Sequence, residues 1–439
     1  MLFISATHVY YLLVNIWFLK TFFVKFKSVG QMDKYVPSPN CLPDHSPIRR
    51  KVFEVISQAW GLKNVIDFNP CVVPTVLENS YFSKHIEMNP TDYMVSEILE
   101  GHRFLMVIGT CDRKGFCVMV NKHMQLYEVP ILANSDYFRG SVFDGLLTTE
   151  TLSSGQERQK YLIFDTISIK GETRKNDPFL KRYNEYFGVF DLEGKDILDM
   201  ESSKWESLAY EWTETKDKIV CLGNKFALQF YPKPFVQFLN MGSLWRTMSR
   251  GNHQQTHGIV FVKSTSVVGM GIDPHVIKWK QHHTMNLIIH SMYIKGKWTF
   301  KICFYDQGKK LDSLDKSFTI DRQLTTSDLP LIINQPITSK PGSDYENSQV
   351  YLQLKENTII ESTCRYFAEL HKTSFTLIGK CLCTIDSVHP IAWCEVLKWQ
   401  NGVKTPDTYE SIQKTLNNIL CNVSVSDLLR SSTTKMYQT

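Results

Sequence analysis

Ser96-Glu97-Ile98-Leu99-Glu100-Gly101-His102-Arg103-Phe104 is the stretch that decides how this chain is read. Alone it is a strand leading into a turn at Gly101. Tyr93-Met94-Val95 extends the strand upstream, and RFLMVI (103–108) is an apolar run downstream. FCVMV (116–120) and MQLYEV (124–129) follow, with Asp112-Arg113-Lys114-Gly115 supplying hairpin chemistry between the first two runs. Strands are therefore expected over most of 93–169. Further out lie YFRGSVFDG (137–145), YLIFDTISIKG (161–171), QTHGIVFV (255–262) and VIKWKQ (276–281).

Those five segments, in that order, resemble the motif series of the covalent nucleotidyltransferases, and most closely that of the mRNA capping enzymes (RNA guanylyltransferases). The resemblance spans roughly 80–429. In that family the first motif reads Lys-x-Asp-Gly-x-Arg, and its lysine attacks the α-phosphate of GTP. Here Gly101 and Arg103 match, Glu100 replaces the aspartate, and Ile98 stands at the lysine position. The resemblance implies that Arg103 contacts the nucleotide sugar, that Phe164 stacks on guanine, and that Lys278 and Lys280 contact phosphates. An i, i+2 pair on a strand puts both amines on one face.

Other family positions have changed. Leu146 stands where the third motif, FDGE, carries its glutamate. His257 replaces the metal-binding acid of the fourth motif. Trp399-Gln400-Asn401-Gly402 stands where the sixth, Arg-x-Asp-Lys, is expected. Asp144 and Asp165 remain as cleft carboxylates. The resemblance implies no catalytic nucleophile, and nucleotide contacts at Arg103, Phe164, Lys278 and Lys280. Lys114 is a rival nucleophile by proximity, but a hairpin turn explains it as an exposed lysine. His257, His282 and His283 lack acids or cysteines at ligand spacing, so no metal site is expected from the residues themselves. GTP with Mg or Mn is implied by resemblance alone.

The chain has 439 residues, room for two or three domains, with 43% apolar and 21% charged residues, as in ordinary globular proteins. A net charge of +5 is compatible with an anionic partner without demanding one. Eleven scattered cysteines form no CxxC pair, which points to free thiols in a reducing compartment, nucleus or cytoplasm.

At the N-terminus, VYYLLVNIWFL (9–19) is too short and interrupted for a membrane span of about 20 apolar residues. Its lysines follow it, unlike those of a signal peptide. An upstream extension ahead of a start at Met32 is favoured over a bare anchor or a packed helix. Four prolines mark 34–47 as an irregular arm, and 48–60 has helical spacing. The run 228–241 is apolar with two prolines. Beyond Gln281, strands are expected at 285–293, 298–306, 350–355, 358–364 and 392–399, with a polar insertion at 309–347. Five strands suit an OB-fold. A helix at 408–420 and a short one at 425–429 precede a polar end.

The expected architecture is α+β. Residues 1–31 are a hydrophobic extension. Residues 32–283 form a nucleotidyltransferase domain of the DNA ligase and capping enzyme type (ATP-grasp-like), with antiparallel sheets and helices. Residues 284–430 form an OB-fold β-barrel with a C-terminal helix, and 431–439 a disordered tail. The implied role is a guanylyltransferase-like pseudoenzyme of mRNA 5′-capping that binds RNA 5′ ends, GTP, an active capping subunit or RNA polymerase; the alternative is an active guanylyltransferase. No DNA specificity is evident.

Overall fold

The computed structural model describes residues 41–66, 68–151, 155, 157–190, 210–211, 213–221, 228–250, 258–294, 297–306, 309–312, 318–320, 349–353, 362, 369–372, 374–385, 391–399, 407, 411, 415, 419 and 423–433. The expectations for 1–31, for the arm up to 40 and for His257 lie outside them. The chain divides into two compact units, 32–281 with 423–439 and, for the described residues, 282–422.

The first unit opens with α1 (Pro47–Ala59), where Pro47 sits in the first turn and costs no hydrogen bond. Val52, Phe53, Ile56 and Ala59 are its buried face. It ends as Gly61 takes φ +63, with the Gly61 N–H donating to Gln58 O. Then come β1 (Val72–Val76), β2 (Tyr93–Ile98), β3 (His102–Cys111), β4 (Lys114–Asn121), β5 (Leu126–Glu128), β6 (Ile131–Leu132), β7 (Ser141–Thr151), β8 (Glu157–Ile169) and β9 (Glu172–Thr173). Next are α2 (Phe179–Phe190), β10 (Val220–Cys221), β11 (Gln229–Pro232), β12 (Val236–Gln237), α3 (Met241–Arg250), β13 (Gly258–Lys263) and β14 (Gly271–Trp279).

Two sheets dominate this unit. A seven-stranded sheet runs β11-β8-β7-β3-β4-β5, with β9 on β8. Its central strands are near-continuous apolar runs because both faces are covered. Alternation on β3 sends Phe104, Met106 and Ile108 into the core that contains Tyr186 and Phe190 of α2. Leu105 and Val107 enter the opposite core, with Val52, Phe53 and Ile56 of α1. The β3–β4 hairpin turns on Asp112 and Arg113, both with positive φ, as a two-residue primed turn requires. Lys114 is exposed at the turn.

The second sheet runs β1-β14-β13-β2-β12. One face carries Val95, Ile259, Phe261, Ile277 and Trp279 into a core with Phe238, Met241, Met248 and Leu428. Leu428 belongs to α4 (Val425–Thr433), which opens on a reciprocal cap: Ser424 Oγ accepts from Asp427 N–H at 3.1 Å, and the Asp427 carboxylate accepts from Ser424 N–H at 3.0 Å. The helix runs past the expected start of the tail at 431 because Ser431 and Ser432 are buried, Ser431 donating to Glu87. Leu428 and Val423 place 423–433 in the core of the first unit, not with the strands that precede it.

In the second unit β15 (His283–Ile294), β16 (Lys297–Asp306), β17 (Lys309–Asp312), β18 (Phe318–Ile320), β19 (Gln349–Gln353), β20 (Ser374–Ile385) and β21 (Ile391–Trp399) form one sheet. Its order is β17-β16-β15-β20-β21-β19, with β18 on β16. The strand β20 falls where none was expected. Of the strand expected at 358–364, Ser362 is helical and the rest lies outside the described residues. β17 and β18 fall inside the segment expected to be a polar insertion.

Candidate functional site

A cavity of about 340 Å³ opens between the two sheets of the first unit. Ile98, Arg103, Phe164, Lys278 and Lys280 all line it, although 182 residue positions separate the first from the last. Strand periodicity explains the lysines. On β14, Ile277 and Trp279 point into the core, so Val276 and Lys278, and Lys280 just beyond the strand, point into the cavity. Trp279 is anchored by its indole N–H, which donates to Val423 O at 2.6 Å. Ile98 ends β2, paired with Gly258 on β13.

The retained glycines have steric reasons. Gly258 has φ +143, and a Cβ there would lie 2.0 Å from Trp279 O. A Cβ on Gly101 would lie 2.5 Å from Leu147 O. At Gly145 it would meet the Tyr161 ring, which crosses to donate its hydroxyl to Phe104 O at 2.8 Å. These residues let the motif strands approach one another.

The cavity's acids are already engaged. Arg103 donates its Nε to Asp144 Oδ1 at 2.9 Å and a second nitrogen to Asp144 Oδ2, while its third reaches Val72 O. Burial pushes the Asp144 carboxyl up, and the Arg103 guanidinium opposes that rise. The same guanidinium lies 5.2 Å from the Phe164 ring centroid, so one face of that ring is occupied by a cation. Asp165 accepts from Arg182 at 2.7 and 3.0 Å and from Thr166 N–H at 2.8 Å. Arg182 is buried on α2 and also donates to Ser266 O at 2.9 Å. Asp273 Oδ1 caps His275 N–H at 2.8 Å.

Sequence reasoning missed Lys233. It lies between β11 and β12, buried, with its amide N–H donating to Ile163 O and its carbonyl accepting from Tyr186 Oη. Its ammonium donates to Glu97 O at 2.5 Å, next to Ile98, and lies 5.8 Å from the Phe235 ring centroid. Burial lowers its pKa from 10.5 to about 8. The signal was there: it is the single charge in the apolar run 228–241, between Pro232 and Pro234.

A divalent metal does not fit this cleft. Asp144 and Asp165 each accept two arginine bonds, and Leu146 presents an alkyl group at the position of the family's glutamate. Among the described residues no group of three histidine, cysteine or carboxylate side chains is placed to hold a metal ion. Nor is any described helix long and apolar enough to cross a membrane.

The family model described as "mRNA capping enzyme, catalytic domain" matches residues 55–282. The mRNA-capping enzyme subunit alpha of Neurospora crassa is 24% identical over 225 residues, covering 47% of this chain and 50% of that protein. The chain thus spans about half the length of this curated relative. Among solved structures, a mycobacterial DNA ligase D complexed with ATP and MES is similar at 10% identity, with a TM-score of 0.32 over 76% of this chain and 98% of that one. Chlorella virus DNA ligase-adenylate is similar at 11% identity, with a TM-score of 0.27 over 75% and 100%.

Proposed function

Because the chain belongs to the mRNA capping enzyme family, by a catalytic-domain match that covers just over half of it, we propose that it is a non-covalent binding member of that family. Its cleft takes a guanine nucleotide or the 5′ end of an RNA without forming a bond to it. It serves the mRNA-capping machinery in the nucleus or cytoplasm, beside an active capping subunit or RNA polymerase. The observation that carries this reading is Ile98. It lines the cavity at the family's lysine position, and an alkyl side chain has no lone pair with which to attack phosphorus. Leu146 agrees with it, and so do the arginines that occupy both family carboxylates. Arg103, Phe164, Lys278 and Lys280 supply the nucleotide contacts.

One observation favours a second reading, an active guanylyltransferase with a relocated nucleophile. Lys233 carries a buried amine beside the Glu97 carbonyl, with a pKa near 8. In that chemistry its neutral Nζ forms a bond to the α-phosphorus, the bond to pyrophosphate breaks, and the amine proton leaves to solvent. Incubation with α-labelled GTP and magnesium or manganese, followed by a denaturing gel, separates the readings. No labelled band is expected. A labelled band that disappears in Lys233→Met establishes the second reading instead. Equilibrium titration with GTP and triphosphate-ended RNA then tests binding, and absence of binding to both overturns the first.

A further inference from the structure

Four aromatic side chains line the cavity, Trp60, Phe164, Phe179 and Phe235, and three of them have a cation over the ring. The Arg103 guanidinium lies 5.2 Å from the Phe164 centroid, that of Arg182 5.6 Å from Phe179, and the Lys233 ammonium 5.8 Å from Phe235. Two of these pairs are local in sequence. Arg182 follows Phe179 by three residues on α2, which makes them neighbours on one helix face. Phe235 follows Lys233 by two in the segment that leads to β12. The third pair is built by the sheet. β7 lies between β3 and β8, and its Asp144 holds Arg103 by two bonds, which fixes the guanidinium over Phe164 of β8. Phe179 and Phe235 are buried, edge to face with centroids 5.1 Å apart. Phe164 is half-buried and packs against them, so it is the ring of the three that a planar ligand reaches.

An aromatic ring attracts a cation because its face is electron-rich, and the attraction is strongest where water is excluded. A ring with a cation on one face has its electron density drawn to that side and offers less to a second cation on the other. A neutral planar group loses nothing by this, because its own π density is attracted towards the cation behind the ring. Carboxylates could compensate a cationic ligand, but the three on these walls already accept hydrogen bonds: Asp144 from Arg103, Asp165 from Arg182, and Asp273 from the His275 N–H. Against the alkyl walls of Val72, Ile98, Leu146 and Val276, a charge costs more to desolvate than a neutral ring.

Guanine exists in two forms that differ in this property. Alkylation at N7 puts a full positive charge on the base and leaves the atoms of its hydrogen-bonding edge in place. We infer that the cleft selects a neutral guanine and rejects one alkylated at N7, with Arg103 over Phe164 as the specificity-determining residue. The chain therefore acts on a guanine before, and not after, any alkyl transfer to that nitrogen. This rests on the cleft being a guanine-nucleotide site. The guanine can belong to free GTP or to the 5′ end of an RNA.

The test is calorimetric titration of the full chain in EDTA with three ligands: GTP, N7-methyl-GTP, and 7-methyl-7-deaza-GTP, which carries the same methyl group on a neutral ring. GTP binds about tenfold more tightly than N7-methyl-GTP, the size of a desolvated cation–π contact. The neutral methyl analogue binds like GTP. An RNA that begins with a triphosphoguanosine is titrated beside GTP, and the tighter of the two assigns the source.

Arg103→Met with Asp144→Leu removes both partners of the pair, so that no buried carboxylate is left alone. In that variant N7-methyl-GTP binds as tightly as GTP or more so. Discrimination that persists there, in a variant with the thermal midpoint of the parent, overturns the role of Arg103. In the parent protein, N7-methyl-GTP that binds as tightly as GTP overturns the inference and leaves the nucleotide-site reading standing. Equal weakness of the two methylated ligands marks a steric exclusion and also overturns it. No binding of GTP, of either analogue or of the RNA overturns the nucleotide-site reading itself.

Discussion

Replacing Lys233 by methionine should make the protein more stable and its cleft less able to hold an anion. The lysine is 7% exposed, and burial lowers its pKa from 10.5 to about 8. At about 1.4 kcal/mol per pH unit, that drop means the protonated amine costs the folded state roughly 3 kcal/mol at pH 7. Methionine has a similar length and no charge. It forfeits the bond to Glu97 O, worth about 1–2 kcal/mol. Lys233→Met should therefore be about 2 kcal/mol more stable at pH 7, about 4–8 °C in Tm for a unit of this size.

The sign with pH is fixed by the same values. Because the folded pKa lies below the unfolded one, the parent protein gains stability as pH rises from about 8 towards 10.5, and loses it as pH falls back through 8. At pH 9.5 the parent's penalty is down to roughly 1.4 kcal/mol, so the advantage of the variant should have nearly vanished. Ligand-free urea unfolding at pH 7 and 9.5, followed by tryptophan fluorescence, measures both numbers. A variant less stable than the parent at pH 7 refutes the reasoning, and so does an advantage that does not shrink at pH 9.5. Either result means that Lys233 is not a desolvated ammonium and that its place in the cleft is structural.

Three further outcomes follow from the geometry. Triphosphate affinity in EDTA should fall as pH rises through about 8, because Lys233 loses its proton there; a pH series in Lys233→Met should lack that step. Gly258→Ala should destabilise by about 3 kcal/mol or more, since its Cβ would sit 2.0 Å from a backbone oxygen at φ +143; thermal unfolding reads this directly, and a loss below 1 kcal/mol contradicts it. Trp279→Phe should cost about 1–2 kcal/mol by leaving Val423 O without its indole donor, and hydrogen exchange in 425–433 should accelerate as α4 loosens.

Where local rules suffice, the reading from residues matched the molecule. The Lys278-Trp279-Lys280 alternation needs only a strand period of two to put both amines on one face, and the structure adds that the other face is core. The β3–β4 hairpin was legible from Asp112-Arg113, though Gly115 is not part of the turn. The short helix expected at 425–429 does start there, capped by Ser424 and Asp427, but it runs on to Thr433, past the expected tail boundary at 431. Lys233 was harder. A lone lysine between prolines is a local anomaly, but its meaning depends on Glu97, which is 136 positions away. Asp165 looked like an open carboxylate because its partner, Arg182, lies across a turn and on a helix.

The sequence by itself determined the family, through the order of its motifs, and that Ile98 carries no amine, because a side chain's atoms are fixed before folding. The tertiary structure decided the state of what remained. Gly101, Gly145 and Gly258 persist because backbone and ring atoms approach too closely to admit a Cβ. Asp144 and Asp165 are carboxylates in the chain but arginine partners in the fold, and charge pairing depends on distances of a few ångströms that only packing sets. Lys233, from the segment between β11 and β12, and Lys278 and Lys280, from the end of β14, then share one cavity because the fold brings those two distant segments together.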